Sequence, residues 1–281
     1  ERQGGGGREG SAGKEGRGQE RRVGGRWREG VGVLGVVVSA AAVVAWQTYA
    51  GTVRWPSMRG IAWLLLTGFF MQFLGNVTFQ WGLHLGGITL TVPLSHATLL
   101  ISGALLGLWM LGERVSPRST AAILVLVVSI TILSIDADDT LKAGSNSPVG
   151  LAIINGLLAG IGWGLGGVVI RQMVTRGVSV SVTIFLLAST AIVGLGGALM
   201  IRQGPGWILE QTSAYELNIT LLAGVFTAMA FFALTAAMKH ISVVRTNIIN
   251  ASQIALTSLA GYALFSEPIT RWMIIGTGLT I

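Results

Sequence analysis

From residue 31 onward, long apolar stretches alternate with short polar breaks. Nine stretches can be counted, at 31–53, 60–83, 88–111, 119–135, 149–170, 178–201, 217–238, 244–265 and 272–281. Most approach the ~20 residues that an α-helix needs to cross the hydrocarbon core of a bilayer. Only helices and closed barrels satisfy their backbone groups in lipid, and the two-residue alternation of barrel strands is missing here. The pattern predicts an all-α polytopic membrane protein. The last stretch has only ten residues and reads as a clipped helix.

Composition agrees. Of 281 residues, 51% are hydrophobic and 11% charged, with a mean hydropathy of +0.68. Soluble domains carry about 25% charged residues, so a soluble enzyme or a nucleic-acid module is excluded. There is no cysteine, which removes disulfides, thiolate metal sites and cysteine nucleophiles. A net charge of +7 and a pI near 10.8 would suggest nucleic acid in a soluble chain. In a membrane chain, loop Lys and Arg set orientation instead.

Residues 1–30 stand apart. They hold eleven glycines, eight Lys/Arg and five Glu, with Trp27 as the one large apolar side chain. Such a segment cannot offset chain entropy by burial and reads as a disordered tail.

The breaks alternate in charge. Arg54 with Arg59, Arg114 with Arg118, Arg171 with Arg176, and Lys239 with Arg245 fill every second one. The breaks between hold only Lys142, Arg202 and Arg271 beside Asp136, Asp138, Asp139, Glu210 and Glu216. The positive-inside rule makes the rich breaks and the C-terminal end cytoplasmic, in a bacterial inner membrane or plasma membrane. That orientation leaves the basic tail outside, which suggests that an earlier helix is missing.

A shift of 154 residues superimposes Ala97, Gly107 and Glu113 on Ala251, Gly261 and Glu267, and Ser116 on Thr270. By the loop charges the two copies have opposite orientations, as in the inverted repeats of secondary transporters. The chain then divides into the tail at 1–30, a first repeat at 31–135, an acidic extracytoplasmic loop at 136–148 and a second repeat at 149–281.

The stretch GGITLTVPLSHATLLISGALLGLWMLGERVSPRSTAAILVLVVSITILS (86–134) resembles the end of an EamA-type repeat of the drug/metabolite transporter superfamily. KHISVVRTNIINASQIALTSLAGYALFSEPITRWMIIGTGLTI (239–281) is similar to the end of a second. The family pattern of an apolar helix, Gly-Glu, a small polar residue and a closing helix holds at Gly112-Glu113. It departs at Ser266-Glu267-Pro268. The resemblance implies ten helices in two inverted repeats, with the first absent here, and transport of a small organic solute rather than catalysis.

Polar side chains inside a membrane are costly and usually face a bundle interior or a cavity. Gln72, Asn76, Gln80 and His84 recur every four residues on one helical face. Amides both donate and accept, which suits a polar, zwitterionic or amphipathic solute. The competing role is interhelical bonding, worth ~0.6 kcal/mol on average. Asn247, Asn250, Gln253 and Thr257 repeat the pattern on the eighth stretch, the repeat partner of the one carrying Pro93 and His96. His96 is the ionisable group placed within the membrane, either as a proton relay or as a neutral hydrogen-bonding partner. Gly156, Gly160 and Gly164 have the small-xxx-small spacing of close helix packing. Asn155 and Trp163 on the same stretch are candidate cavity residues. Glu113 and Glu267, at helix ends, read as structural turn residues whose expected contacts are nearby backbone N–H groups or Arg114.

No Walker-A loop or HExxH occurs, and His84, His96 and His240 form no metal-ligand pattern. Ser95 and His96 point about 100° apart on a helix, a poor geometry for a nucleophile and its base. The expectation is therefore a transporter with no cofactor, metal or nucleic-acid partner, working within the lipid bilayer by alternating access, with a homodimer left open. Gln72, Asn76, Gln80, His96, Asn155, Trp163, Asn250 and Gln253 are the predicted solute-binding residues. A non-transporting degenerate protein is the main alternative, and an intramembrane enzyme the third.

Overall fold

The computed structural model describes residues 36–133, 149–197, 201, 214–265 and 271–280. Their helices are α1 Val36–Tyr49, α2 Met58–Phe70, α3 Thr78–Leu111, α4 Pro117–Leu133 and α5 Val149–Thr175, followed by α6 Val180–Ala191, α7 Ala214–Ala237, α8 Val243–Phe265 and α9 Arg271–Thr280. Two π-helical pieces interrupt the series: Met71–Val77 joins α2 to α3, and Ile192–Gly196 extends α6. No strand occurs among the described residues. Met58–Gly86, Leu90–Leu111, Gly150–Thr175 and Leu217–Ala237 are long and apolar enough to cross a membrane. The fold is the all-α polytopic bundle that the hydropathy pattern predicts.

One boundary differs from the sequence reading. The break expected between residues 83 and 88 is not a break in helical backbone, because α3 runs through it. Yet a Cβ on Gly82 would lie 2.6 Å from Thr91 Cγ2, whereas nine residues of straight helix span about 13.5 Å. The chain therefore doubles back near Gly86 while staying helical. The missing side chain at Gly82 lets the two limbs of this hairpin touch.

Helix α5 fills the space against both limbs. A Cβ on Gly156 would meet Leu94 at 3.0 Å, on Gly160 the Ser95 carbonyl at 2.4 Å, and on Gly164 Ser102. Residue numbers rise together along this contact, so α5 runs parallel to the second limb. On its other side, Gly162 approaches Gly75 and Gly166 approaches Met71, which makes α5 antiparallel to the first limb. Ser102 Oγ donates to Gly160 O at 3.1 Å across the same seam. The small-residue spacing thus serves helix packing, where close backbone approach gains dispersion contact without a hydrophobic driving force.

Apolar side chains form the interior and the outside alike. Val44, Leu64, Val169, Met173, Val182 and Leu186 make one buried cluster from α1, α2, α5 and α6. Leu100, Ile123, Leu126, Val244 and Ala251 make a second from α3, α4 and α8. Meanwhile Leu105, Trp109, Leu124, Phe226, Met229 and Ile249 point outward and are exposed. Large apolar side chains around an entire bundle face lipid rather than water.

The four basic breaks meet at one end of the bundle. Arg54 N–H donates to Ser179 Oγ at 2.8 Å, and Ser179 N–H to Arg54 O at 3.0 Å. Glu113, Arg171, Met238 and Val243 are joined by hydrogen bonds at the same end.

Candidate functional site

Between α2, α5, α6 and α7 lies a cavity of about 440 Å³, within the range of small-molecule pockets. Gln72, Asn76 and Gln80 all line it. Two of them sit on the π-helical piece Met71–Val77, where the wider turn still leaves positions four apart adjacent. Asn76 Nδ2 donates to Gln72 Oε1 at 2.9 Å. The indole Nε1–H of Trp163 donates to Asn76 Oδ1, also at 2.9 Å. Residues from α5 and the first hairpin limb thus form one chain of hydrogen bonds.

Gly75 builds this geometry. A Cβ there would lie 2.7 Å from Trp163 Cδ1, and one on Gly162 would lie 2.6 Å from Gly75 N. The two glycines let the helices close until the indole reaches the amide. Phe79 packs on Trp163 with ring centroids 5.0 Å apart. Phe231, Ile184 and Leu187 supply apolar wall, and among the described residues no charged side chain lines the cavity. The site offers amide groups within an aromatic and aliphatic surround.

His96 lies beside this group, its ring 6.1 Å from that of Trp163. Its Nδ1 is 2.9 Å from Val92 O, and its Nε2 is 3.3 Å from Gln253 Nε2. A carbonyl only accepts, so Nδ1 carries the hydrogen, and Gln253 then donates to Nε2. Both nitrogens of a neutral ring are satisfied this way.

Asn250 and Gln253 do not line the first cavity. They line a neighbouring one of about 660 Å³ between α7 and α8. Thr227 and Phe231 belong to both, so these two side chains form the wall between them. Asn247 turns away to α3, where its Nδ2 blocks the place of a Cβ on Gly103. Asn155 reaches neither cavity and donates to Leu151 O of its own helix at 2.8 Å. Glu267 and the side chain of Thr257 lie outside the described residues.

Of the two partners expected for Glu113, the structure supplies a backbone N–H, and Arg171 takes the place of Arg114. Arg171 Nε donates to Glu113 Oε1 at 2.8 Å, and Val243 N–H donates to Oε2 at 3.0 Å. Arg171 also donates to Met238 O. Arg171 is therefore an interhelical ion-pair residue within α5, not the loop charge that the sequence suggested. The spacing alone could not show this, because Arg171 directly follows an apolar stretch. Among the described residues no cluster of His, Asp or Glu could hold a metal ion.

The sequence profile of the EamA-like transporter family matches residues 150–281. Those residues are similar to an EamA-like transporter domain. The family is part of the drug/metabolite transporter superfamily, the one that the stretch 239–281 resembles. With its apolar helices, the chain is a multi-pass membrane protein. No curated protein matches the chain. A solved structure described only as a crystal structure of a protein is similar over 89% of this chain and 83% of its own, with a TM-score of 0.67 and 16% identity. That likeness extends to the fold alone.

Proposed function

We propose that the chain moves a small, amphipathic organic solute across a membrane, with the cavity at Gln72, Asn76 and Trp163 as the central site. The observation that carries the reading is the Trp163–Asn76–Gln72 hydrogen-bond chain beside an aromatic-lined cavity of about 440 Å³. Amides orient a hydrogen-bonding group, while Phe79, Trp163 and Phe231 cover an apolar body or the face of an organic cation. The EamA-like domain at residues 150–281 supplies the transporter context.

Alternating access fits the two π-helical pieces. Met71–Val77 contributes directly to the cavity, and Ile192–Gly196 starts where Ala191 lines it. Such segments have irregular backbone bonding and often mark functional positions. The test is flux into proteoliposomes loaded with a panel of labelled amino acids, neutral metabolites and quaternary amines. Saturable uptake of an amphipathic member, lost in Asn76→Ala, supports the reading. Reconstituted, folded protein without flux of any member would favour a non-transporting protein, and product formation without flux an enzyme.

A further inference from the structure

The basic end of the bundle holds a further, chemically different pocket, of about 610 Å³. It lies between the stretch preceding α2, the first turns of α2 and the α5–α6 turn. Trp55, Arg59, Trp63, Gln172 and Arg176 line it, over a buried floor of Met173 and Val178. Its walls are fixed to one another: the paired backbone and hydroxyl bonds between Arg54 and Ser179 clamp the stretch before α2 onto the turn. Gly177 permits that turn with φ 87°, and Arg54 Nη1 comes within 3.8 Å of where a Gly177 Cβ would be.

Among the described residues nothing compensates the charge in this pocket. No Asp or Glu among the described residues lines it, and the first turn of α2 has no acidic residue. Among the described residues the guanidinium groups of Arg59 and Arg176 make no ion pair or hydrogen bond. Arg171, on the same helix that leads to Arg176, shows the contrast, because Glu113 neutralises it. The N-terminus of α2 adds its partial positive charge to the same place. Two arginine forks match a phosphate group in geometry as well as charge. Trp side chains at the interfacial level and a basic pocket between membrane helices are the features that hold phospholipid headgroups.

We propose that this pocket binds a phosphate group, with Arg59 and Arg176 as its ligands and Trp55 and Trp63 flanking it. The phosphate belongs to an anionic phospholipid headgroup or to a free organic phosphate. The site is separate from the cavity at Asn76 and does not depend on the solute proposed there.

The full chain, purified in detergent, would be offered phosphatidylglycerol and phosphatidylcholine in equal amounts and examined by native mass spectrometry. Pyrophosphate, followed by Trp fluorescence, forms a separate arm. Preferential retention of phosphatidylglycerol, weakened at least about tenfold in Arg59→Gln/Arg176→Gln and partly restored with Lys at both positions, supports the lipid source. Saturable pyrophosphate binding with the same dependence supports the free phosphate. Binding of both probes by the double variant as tightly as by the unsubstituted chain overturns the proposal. So does the absence, in the unsubstituted chain, of both a lipid preference and pyrophosphate binding, a result that requires no variant to fold.

Discussion

The carboxylate of Glu113 joins three helices through one side chain. Its Oε1 accepts from Arg171 Nε at 2.8 Å, and its Oε2 accepts the first N–H of α8, at Val243, at 3.0 Å. Gly112 makes this possible by ending α3 with φ 67°, a left-handed conformation that a side chain would strain. Gly112 N–H bonds Leu108 O at 3.1 Å, and the next residue is then directed back over the bundle end. The Gly-Glu pair is thus a helix stop followed by a cap for a distant helix. A carboxylate at a helix N-terminus also meets the positive end of its dipole.

Removing either partner leaves a partly buried charge without its counterpart. Glu113→Ala and Arg171→Ala should each lower stability by about 2 kcal/mol, and Glu113→Gln by less, since an amide still accepts. Thermal unfolding in detergent measures this, and a double-mutant cycle should give a coupling above about 0.5 kcal/mol. Additive single effects would show that the pair is not energetically linked.

How legible this was in the sequence depends on the kind of signal. The helices were visible because apolar length is set by bilayer thickness. Gln72, Asn76 and Gln80 were visible because amides at membrane depth are costly, and all three line one cavity. The reversal of α3 was not, since helical backbone continues through it and only the Gly82–Thr91 approach reveals it. Met71–Val77 gives no local sign of its π-helical form. Asn250 and Asn155 show the limit of face counting: periodicity states which residues share a face, and packing decides what that face meets. Gly75 was missed although it precedes Asn76, because its role exists only opposite Trp163.

Trp163→Phe keeps the ring against Phe79 and removes the donor to Asn76. If the hydrogen-bond chain organises solute binding, transport should fall by about tenfold, the worth of one such bond. Membrane abundance should be unchanged. Gln72→Leu should act similarly by freeing Asn76 Nδ2. Unchanged flux in both would remove the amide chain from the transport site.

Gly160 and Gly150 make a matched pair for the packing role of α5. A methyl group on Gly160 would stand 2.4 Å from Ser95 O and 2.5 Å from Thr98 Cβ, whereas nothing lies within 4 Å of one on Gly150. Gly160→Ala should therefore cost about 1–3 kcal/mol by forcing α5 and α3 apart. Gly150→Ala should be neutral or slightly stabilising, since alanine favours helix. Equal effects on thermal unfolding would contradict the close seam.

The absence of cysteine allows sidedness to be read without background. Thr52 and Lys239 are exposed in two of the basic breaks that meet at one end, and His84 is exposed near the reversal of α3. Single Thr52→Cys and Lys239→Cys variants should react with an impermeant maleimide only after the cytoplasmic face is opened, because basic breaks stay inside. His84→Cys should react in intact cells, since Met58–Gly86 carries the chain across before Leu90–Leu111 returns it. Labelling of all three from one side would mean that the α3 hairpin does not cross the membrane. Thr52 and Lys239 reacting together, with His84 opposite but all sides reversed, would keep the hairpin and invert the orientation.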